Sequence, residues 1–208
     1  MKIKSFDRRK ELMEAALEEF SAKSYEEASL NNIIKKAGIS KGTFYYHYED
    51  KQALYLELMN NIVNAKIEFM DRKMKDHVHD AGLNIFDSLK LQARIGVEFA
   101  KEYPEYYLLG LMFLKERGSQ IYSTAMDMLD GTSENYYEEL LEKAVANGDF
   151  RDGVSIHFVK KILPYLLYRY DEIFDIKRDH YDMDRITDDF DCLVDFIRFG
   201  LGSREWKS

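Results

Sequence analysis

The residues with the most to offer chemically stand together in SKGTFYYHYEDK, residues 40–51. Lys41, Thr43, Tyr45, Tyr46, His47 and Lys51 bring ammonium, hydroxyl and imidazole donors into one short stretch. Between Glu27 and Glu49 there is no acidic residue, while Lys35, Lys36 and Lys41 fall inside that window. Donors without acids suit phosphate oxygens and base edges better than the making or breaking of bonds. Catalysis would need a constellation that the chain lacks: there is no Gly-rich phosphate loop, no His-Glu metal helix and no nucleophile elbow. Cys192, the one cysteine, lies among Asp189, Asp191 and Asp195, which works against an activated thiolate. DHVHD (76–80) sets two imidazoles beside carboxylates. Positions i and i+2 do not share a helix face, so this stretch reads as a polar loop and not as a metal site. The expectation is a binding protein and not an enzyme, with no catalytic residue, metal or cofactor.

Such a donor face has to be held by rigid elements. A first helix is expected over residues 7–22, where Met13, Ala16, Leu17 and Phe20 make one apolar stripe at i, i+3, i+4, i+7. Ser29 is a good N-cap for a second helix, in which Leu30, Ile33, Ile34 and Ala37 repeat that spacing. Gly38 closes it, Ile39 turns inward, and Ser40 caps a short third helix. The pattern is a helix-turn-helix. At about 100° per residue, Phe44 and Tyr48 share the inward face. Gly42, Thr43, Tyr45 and Tyr46 point sideways and outward, Lys41 flanks them, and His47 lies at the C-terminal edge. Gly42 has no side chain, so another backbone can approach the helix start. A helix start also favours phosphate. The surplus aromatics therefore read as a DNA-reading face.

Beyond residue 49 the chain is long, apolar-periodic and poor in breakers, with only Pro104 and Pro164 as prolines. Helices are expected over about residues 50–75 and 82–102, from Pro104 onward, and over 120–146, 155–176 (with Pro164 as a kink) and 184–201. That makes an all-α chain of about nine helices. With 208 residues it is long enough for a real core. Taken as a whole, the net charge of −8 argues against nucleic acid, but it is unevenly placed. Residues 1–60 hold ten Lys/Arg and ten Asp/Glu; residues 61–208 hold 20 and 28. A lone cysteine allows no intramolecular disulfide and fits a reducing compartment. The start lacks a continuous apolar stretch. The longest apolar run, YYLLGLMFL (106–114), is far short of the roughly 20 residues that span a bilayer. No membrane association is expected, and the cytoplasm is the expected location.

SLNNIIKKAGISKGTFYYHYEDKQALYLEL, residues 29–58, resembles the TetR family of transcriptional regulators. The likeness lies in the apolar second helix, AGIS at the turn, the Lys-Gly-Thr-aromatic-Tyr-x-His-aromatic run, and Lys51 three residues after Tyr48. Ala-Ala-Leu-x-x-Phe (15–20) fits as well. The resemblance implies a helix-turn-helix DNA-binding domain at residues 1–49 and a helical effector-binding and dimerisation domain at 50–208. It implies that Ser29 caps the second helix and touches a phosphate. Ser40, Lys41, Gly42, Thr43 and Tyr46 would form the face in the major groove, while Tyr45, His47 and Lys51 would hold the DNA backbone. It further implies a homodimer through the last two helices. A small-molecule effector would displace the fourth helix and so change the spacing of two recognition helices, which must match successive major grooves roughly 34–36 Å apart. Repression of an operator is the commoner behaviour in that family. A DNA-binding regulator without ligand response is the alternative, and a helical metal-binding protein or enzyme a remoter one.

The second half is rich in aromatics. Phe99, Tyr106, Phe113, Tyr122, Tyr137, His157 and Tyr168 are the candidates for lining an effector pocket, and a few tyrosines around an apolar cavity suit an apolar or aromatic ligand. ILPYLLYRYDEIF (162–174) is apolar on nearly all sides, and Phe190, Leu193, Val194, Ile197 and Leu201 form a stripe near the end. Helices of that kind need core on one side and a partner on the other.

Overall fold

The computed structural model describes residues 8–77, 83–176 and 182–201, without the side chains of 77, 130–137, 168 and 201. Among the described residues there are ten helices and no strand. They are α1 (Arg9–Ala22), α2 (Leu30–Lys36), α3 (Lys41–His47), α4 (Lys51–His77), α5 (Ile85–Glu102), α6 (Pro104–Lys115), α7 (Gln120–Ala146), α8 (Ile156–Tyr168), α9 (Tyr170–Ile173) and α10 (Met183–Leu201). The expected all-α class holds. None of these helices is long and apolar enough to cross a membrane. The chain packs as two compact units, one of Met1–Glu68 with Ala100–Leu129, the other of Phe69–Phe99 with Asp130–Ser208.

The first unit is built on α1. Its buried stripe is Leu12, Ala15, Ala16 and Phe20, at i, i+3, i+4, i+8. Met13 and Leu17, expected in that stripe, are only partly buried at its edge. The stripe turns because α1 packs on α6 as well as on α2. Leu109 and Phe113 of α6, with Ile121 and Ala125 of α7, complete the core that Ile33, Ile34, Phe44, Leu54 and Leu58 begin. Nothing in the periodicity of α1 identifies a partner 90 residues downstream.

The second unit has its own core. Ile85, Phe86 and Leu89 of α5 meet Leu141 and Ala144 of α7, Val159, Leu163 and Leu167 of α8, and Leu193, Val194 and Ile197 of α10. Three ion pairs set α5 against α10: Lys90–Asp195 at 2.6 Å, Arg94–Asp191 at 2.8 Å and Arg198–Asp87 at 3.1 Å. Partly exposed pairs of this sort contribute little energy each, and their use is to fix register. Among the described residues the helix expected over 155–176 is two helices, α8 and α9. Pro164 is accommodated inside α8, and the break falls at Arg169 (φ −109°, ψ 14°). The Arg169 carbonyl accepts from the Glu172 and Ile173 N–H groups at 3.0 Å, the first turn of α9. The break expected over 77–81 lies almost wholly outside the described residues.

Candidate nucleic-acid interface

Two serines and one glycine shape the helix-turn-helix. The Ser29 Oγ accepts from the Asn32 N–H at 3.3 Å, and the Ser40 Oγ accepts from the Thr43 N–H at 3.0 Å. Each satisfies a backbone donor that the first helical turn leaves open. Between them α2 ends in a Schellman turn. The Gly38 N–H donates to the Lys35 carbonyl and the Ile39 N–H to the Ile34 carbonyl, both at 3.2 Å. Gly38 takes φ +66°, a conformation that costs a residue with a Cβ about 1 kcal/mol or more. Ile39 and Ile34 also meet in the core, the apolar contact that usually goes with this turn.

α3 then splits into two faces as its rotation requires. Phe44 is fully buried and stacks on Tyr48, ring centroids 5.4 Å apart. Tyr48 is held in turn by Arg9 and Glu57, which pair with each other. Burial, and then the hydrogen bond with Glu57, push the Tyr48 hydroxyl up to about 12. The opposite face is open: Ser40, Lys41, Gly42, Thr43, Tyr45, Tyr46 and His47 are all exposed, Tyr46 by 80%. His47 packs edge-on to Tyr46 at 4.8 Å. A Cβ added at Gly42 would meet only the Ser40 Oγ, at 3.7 Å. The fold itself therefore does not require a glycine there.

Lys51 sits differently. Its Nζ donates to the carbonyls of Tyr25 (2.6 Å), Ala28 (3.1 Å) and Glu26 (3.4 Å) and lies 4.3 Å from the Tyr25 ring centre. An ammonium has three donors, and all three are turned to the loop before Ser29. The same loop is gripped by Glu19, which accepts from the Ser29 N–H at 3.0 Å, and by Glu116 at the end of α6, which accepts from the Tyr25 N–H at 2.7 Å. Tyr25, Glu116, Arg9 and Glu57 thus support this surface, and none of them stood out in the sequence. Except for Glu57 and the nearby Tyr48, their partners lie between 26 and 91 residues away, and no local pattern marks them.

Of the seven aromatic and histidine candidates, Tyr106, Phe113 and Tyr122 belong to the first unit and Phe99 and His157 to the second. Phe113 and Tyr122 stack at 4.7 Å within the core region of the first unit, with Tyr106 packed against that core. Phe99 packs edge-on to Phe69 at 5.4 Å in the second unit, and His157 is exposed. The side chains of Tyr137 and Tyr168 lie outside the described residues, as does most of DHVHD. Within the second unit a half-open cavity of about 400 Å³ is lined by Met74, Leu83, Ile85, Leu140 and Ala144, with Glu139, Lys143 and Asp149 also lining it. None of the five candidates whose side chains are described lines it.

Residues 12–58 match the family model of bacterial regulatory proteins, tetR family. Among curated relatives, an uncharacterized HTH-type transcriptional regulator of Bacillus subtilis, YdgC, is 38% identical over 29% of this chain and 31% of its own. A second from B. subtilis, YvdT, is 24% identical over 69% of this chain and 70% of its own. IcaR of Staphylococcus epidermidis, a negative transcriptional regulator of a biofilm operon, is 33% identical over 36% of this chain and 40% of its own. The chain thus spans about a third of the first of these relatives. Its fold is similar to that of the fatty acid degradation regulator FadR from Bacillus halodurans (TM-score 0.69, 16% identity, 90% of this chain and 94% of that one). It is also similar to FadR from Bacillus subtilis in complex with stearoyl-CoA (TM-score 0.65, 16% identity, 89% and 96%).

Proposed function

We propose, from the premise that residues 12–58 place this chain in the tetR family of bacterial regulatory proteins, that it is a sequence-specific DNA-binding transcriptional regulator, acting as a repressor that an apolar or aromatic small molecule releases from its operator. One observation carries the DNA-binding part. A short helix buries Phe44 completely while leaving Lys41, Thr43, Tyr45, Tyr46 and His47 exposed within a stretch that holds no acidic residue. Exposing two tyrosines by 57% and 80% brings the isolated fold nothing, and a base or phosphate partner makes use of them. In this reading Ser40, Lys41, Gly42, Thr43 and Tyr46 enter the major groove, and Ser29, Tyr45 and His47 hold phosphates. Lys51 acts by fixing the loop that presents Ser29.

The chain works as a homodimer through α8 and α10. Val159, Leu163 and Leu167 of α8 and Leu193, Val194 and Ile197 of α10 face the core, yet Phe158, Tyr165, Phe196 and Phe199 are exposed by 53 to 76%. Helices apolar on the outward side as well call for a second subunit. The effector reading is supported by the resemblance, by the stearoyl-CoA complex of a protein with the same fold, and by a cavity within the size range of small-molecule sites.

The test starts from the full-length protein and a random-sequence duplex pool. Repeated selection followed by fluorescence anisotropy should yield a duplex bound far more tightly than its scrambled counterpart. Tyr46→Ala should reduce that preference without lowering thermal stability. Equal, weak binding to every duplex would refute the reading.

A further inference from the structure

The cations of residues 8–41 fall into two groups. Arg9 pairs with Glu57, Lys10 with Glu14, Lys23 with Glu19 and Lys36 with Glu18. Arg8, Lys35 and Lys41 are exposed and form no ion pair with a carboxylate among the described residues. Lys41 belongs to the face already described, and Lys35 to the last turn of α2. Arg8 is far from both in sequence and precedes α1.

The fold nevertheless brings Arg8 to the turn. Its Nη1 lies 2.7 Å from the point where a Cβ on Gly38 would stand, so the guanidinium occupies the space that the glycine leaves open. Gly38 is two residues before Ser40, the cap of α3. Successive Cα atoms are about 3.8 Å apart, which puts the guanidinium within about 12 Å of the start of the exposed face. Arg8 has no capping duty to keep it there. The N-cap position of α1 makes no side-chain hydrogen bond, and what α1 takes from this residue is its carbonyl, which accepts from the Leu12 N–H at 3.1 Å. The arrangement is a forked, permanently charged donor beside the turn that leads into the recognition helix.

We infer that Arg8, seated on the turn glycine Gly38, is a further DNA contact of this chain, its guanidinium taking a backbone phosphate beside the groove that the α3 face enters. This rests on the DNA-binding reading above. Phosphate is the partner that geometry and charge favour, because a guanidinium meets phosphate oxygens in two parallel hydrogen bonds and, among the described residues, no carboxylate forms an ion pair with Arg8. The contact orients the protein on the duplex and carries no sequence information.

The experiment uses the full-length protein and a duplex selected by the wild type, with the dissociation constant measured across a salt series. Arg8→Ala should weaken binding several-fold and lower the slope of log affinity against log salt by about 0.9 for each phosphate that it no longer neutralises. Arg8→Lys should restore the slope, since the charge is what releases counterions. The ratio of affinities for the selected and scrambled duplexes should stay the same in both variants. Their melting temperatures should match the wild type, because the Arg8 carbonyl is retained. An unchanged affinity and slope in Arg8→Ala, with the wild type binding normally, would overturn the inference alone. It is also overturned if Arg8→Ala lowers the melting temperature and leaves the slope intact, for that is a packing role. If the wild type selects no duplex, the DNA-binding reading falls and this inference with it.

Discussion

Gly42→Ala should make this protein more stable and a poorer DNA binder. Gly42 is the second residue of α3, and its backbone is not in the left-handed region that favours glycine. The added methyl would meet one atom, the Ser40 Oγ at 3.7 Å, which is ordinary van der Waals contact. No overpacking cost therefore opposes the change. Alanine is favoured over glycine in a helix by about 1 kcal/mol, and the loss of unfolded-state freedom alone is worth about 0.4–1 kcal/mol. Near a helix end the lower half of that range applies, so a gain of about 0.5 kcal/mol is expected. For a chain of this length that is a rise of about 1–2 °C in melting temperature. Duplex binding should move the other way. If the bare backbone at Gly42 is the point of close approach, a methyl there lifts the helix from the groove and costs at least one good contact. At about 1.4 kcal/mol that is a tenfold weaker dissociation constant. Scanning calorimetry and anisotropy on the same preparations give both numbers. A lower melting temperature would show that the glycine serves the fold, and unchanged affinity would show that nothing approaches it closely. Either result refutes the reasoning.

Three further perturbations probe the supports. Lys51→Ala removes three charge-assisted hydrogen bonds to the 25–28 loop and should lower stability by about 1.5–3 kcal/mol, read from the urea midpoint; a midpoint equal to the wild type would mean those contacts add nothing. Tyr48 is held neutral in the folded chain to about pH 12, against a usual 10. Its share of the stability is therefore complete below about pH 10 and is lost as pH rises toward 12. Burial raises the Tyr55 hydroxyl also, in the same sense, so the decisive comparison is Tyr48→Phe, whose urea midpoint should decline less steeply over that window. Phe196→Asp puts a carboxylate on a side chain that is 73% exposed in the single chain. Light scattering should show a dimer for the wild type and a monomer for the variant with its helical circular dichroism unchanged; a wild-type monomer would sink the dimer.

The helix-turn-helix was legible because its determinants are local. Ser29 and Ser40 cap the N–H groups three residues on, Gly38 sits where only a left-handed residue closes α2, and the 3.6-residue period alone turns Phe44 inward and Tyr46 outward. The second half was legible as helices for the same reason, through its periodicity and its Asn-Gly stop at residues 147–148. The split of the expected eighth helix was not, because Arg169, where it falls, carries no breaker signature. Local residue order was enough to choose which short helix displays its donors, since a cap and a period act within four residues. What that helix leans on came from long-range packing: α6 against α1, Glu116 on the Tyr25 amide, all three Lys51 donors on one loop, and Arg8 over Gly38. Those contacts join residues from 23 to 91 positions apart. Burial and hydrogen bonding select such pairings only once the whole core has closed.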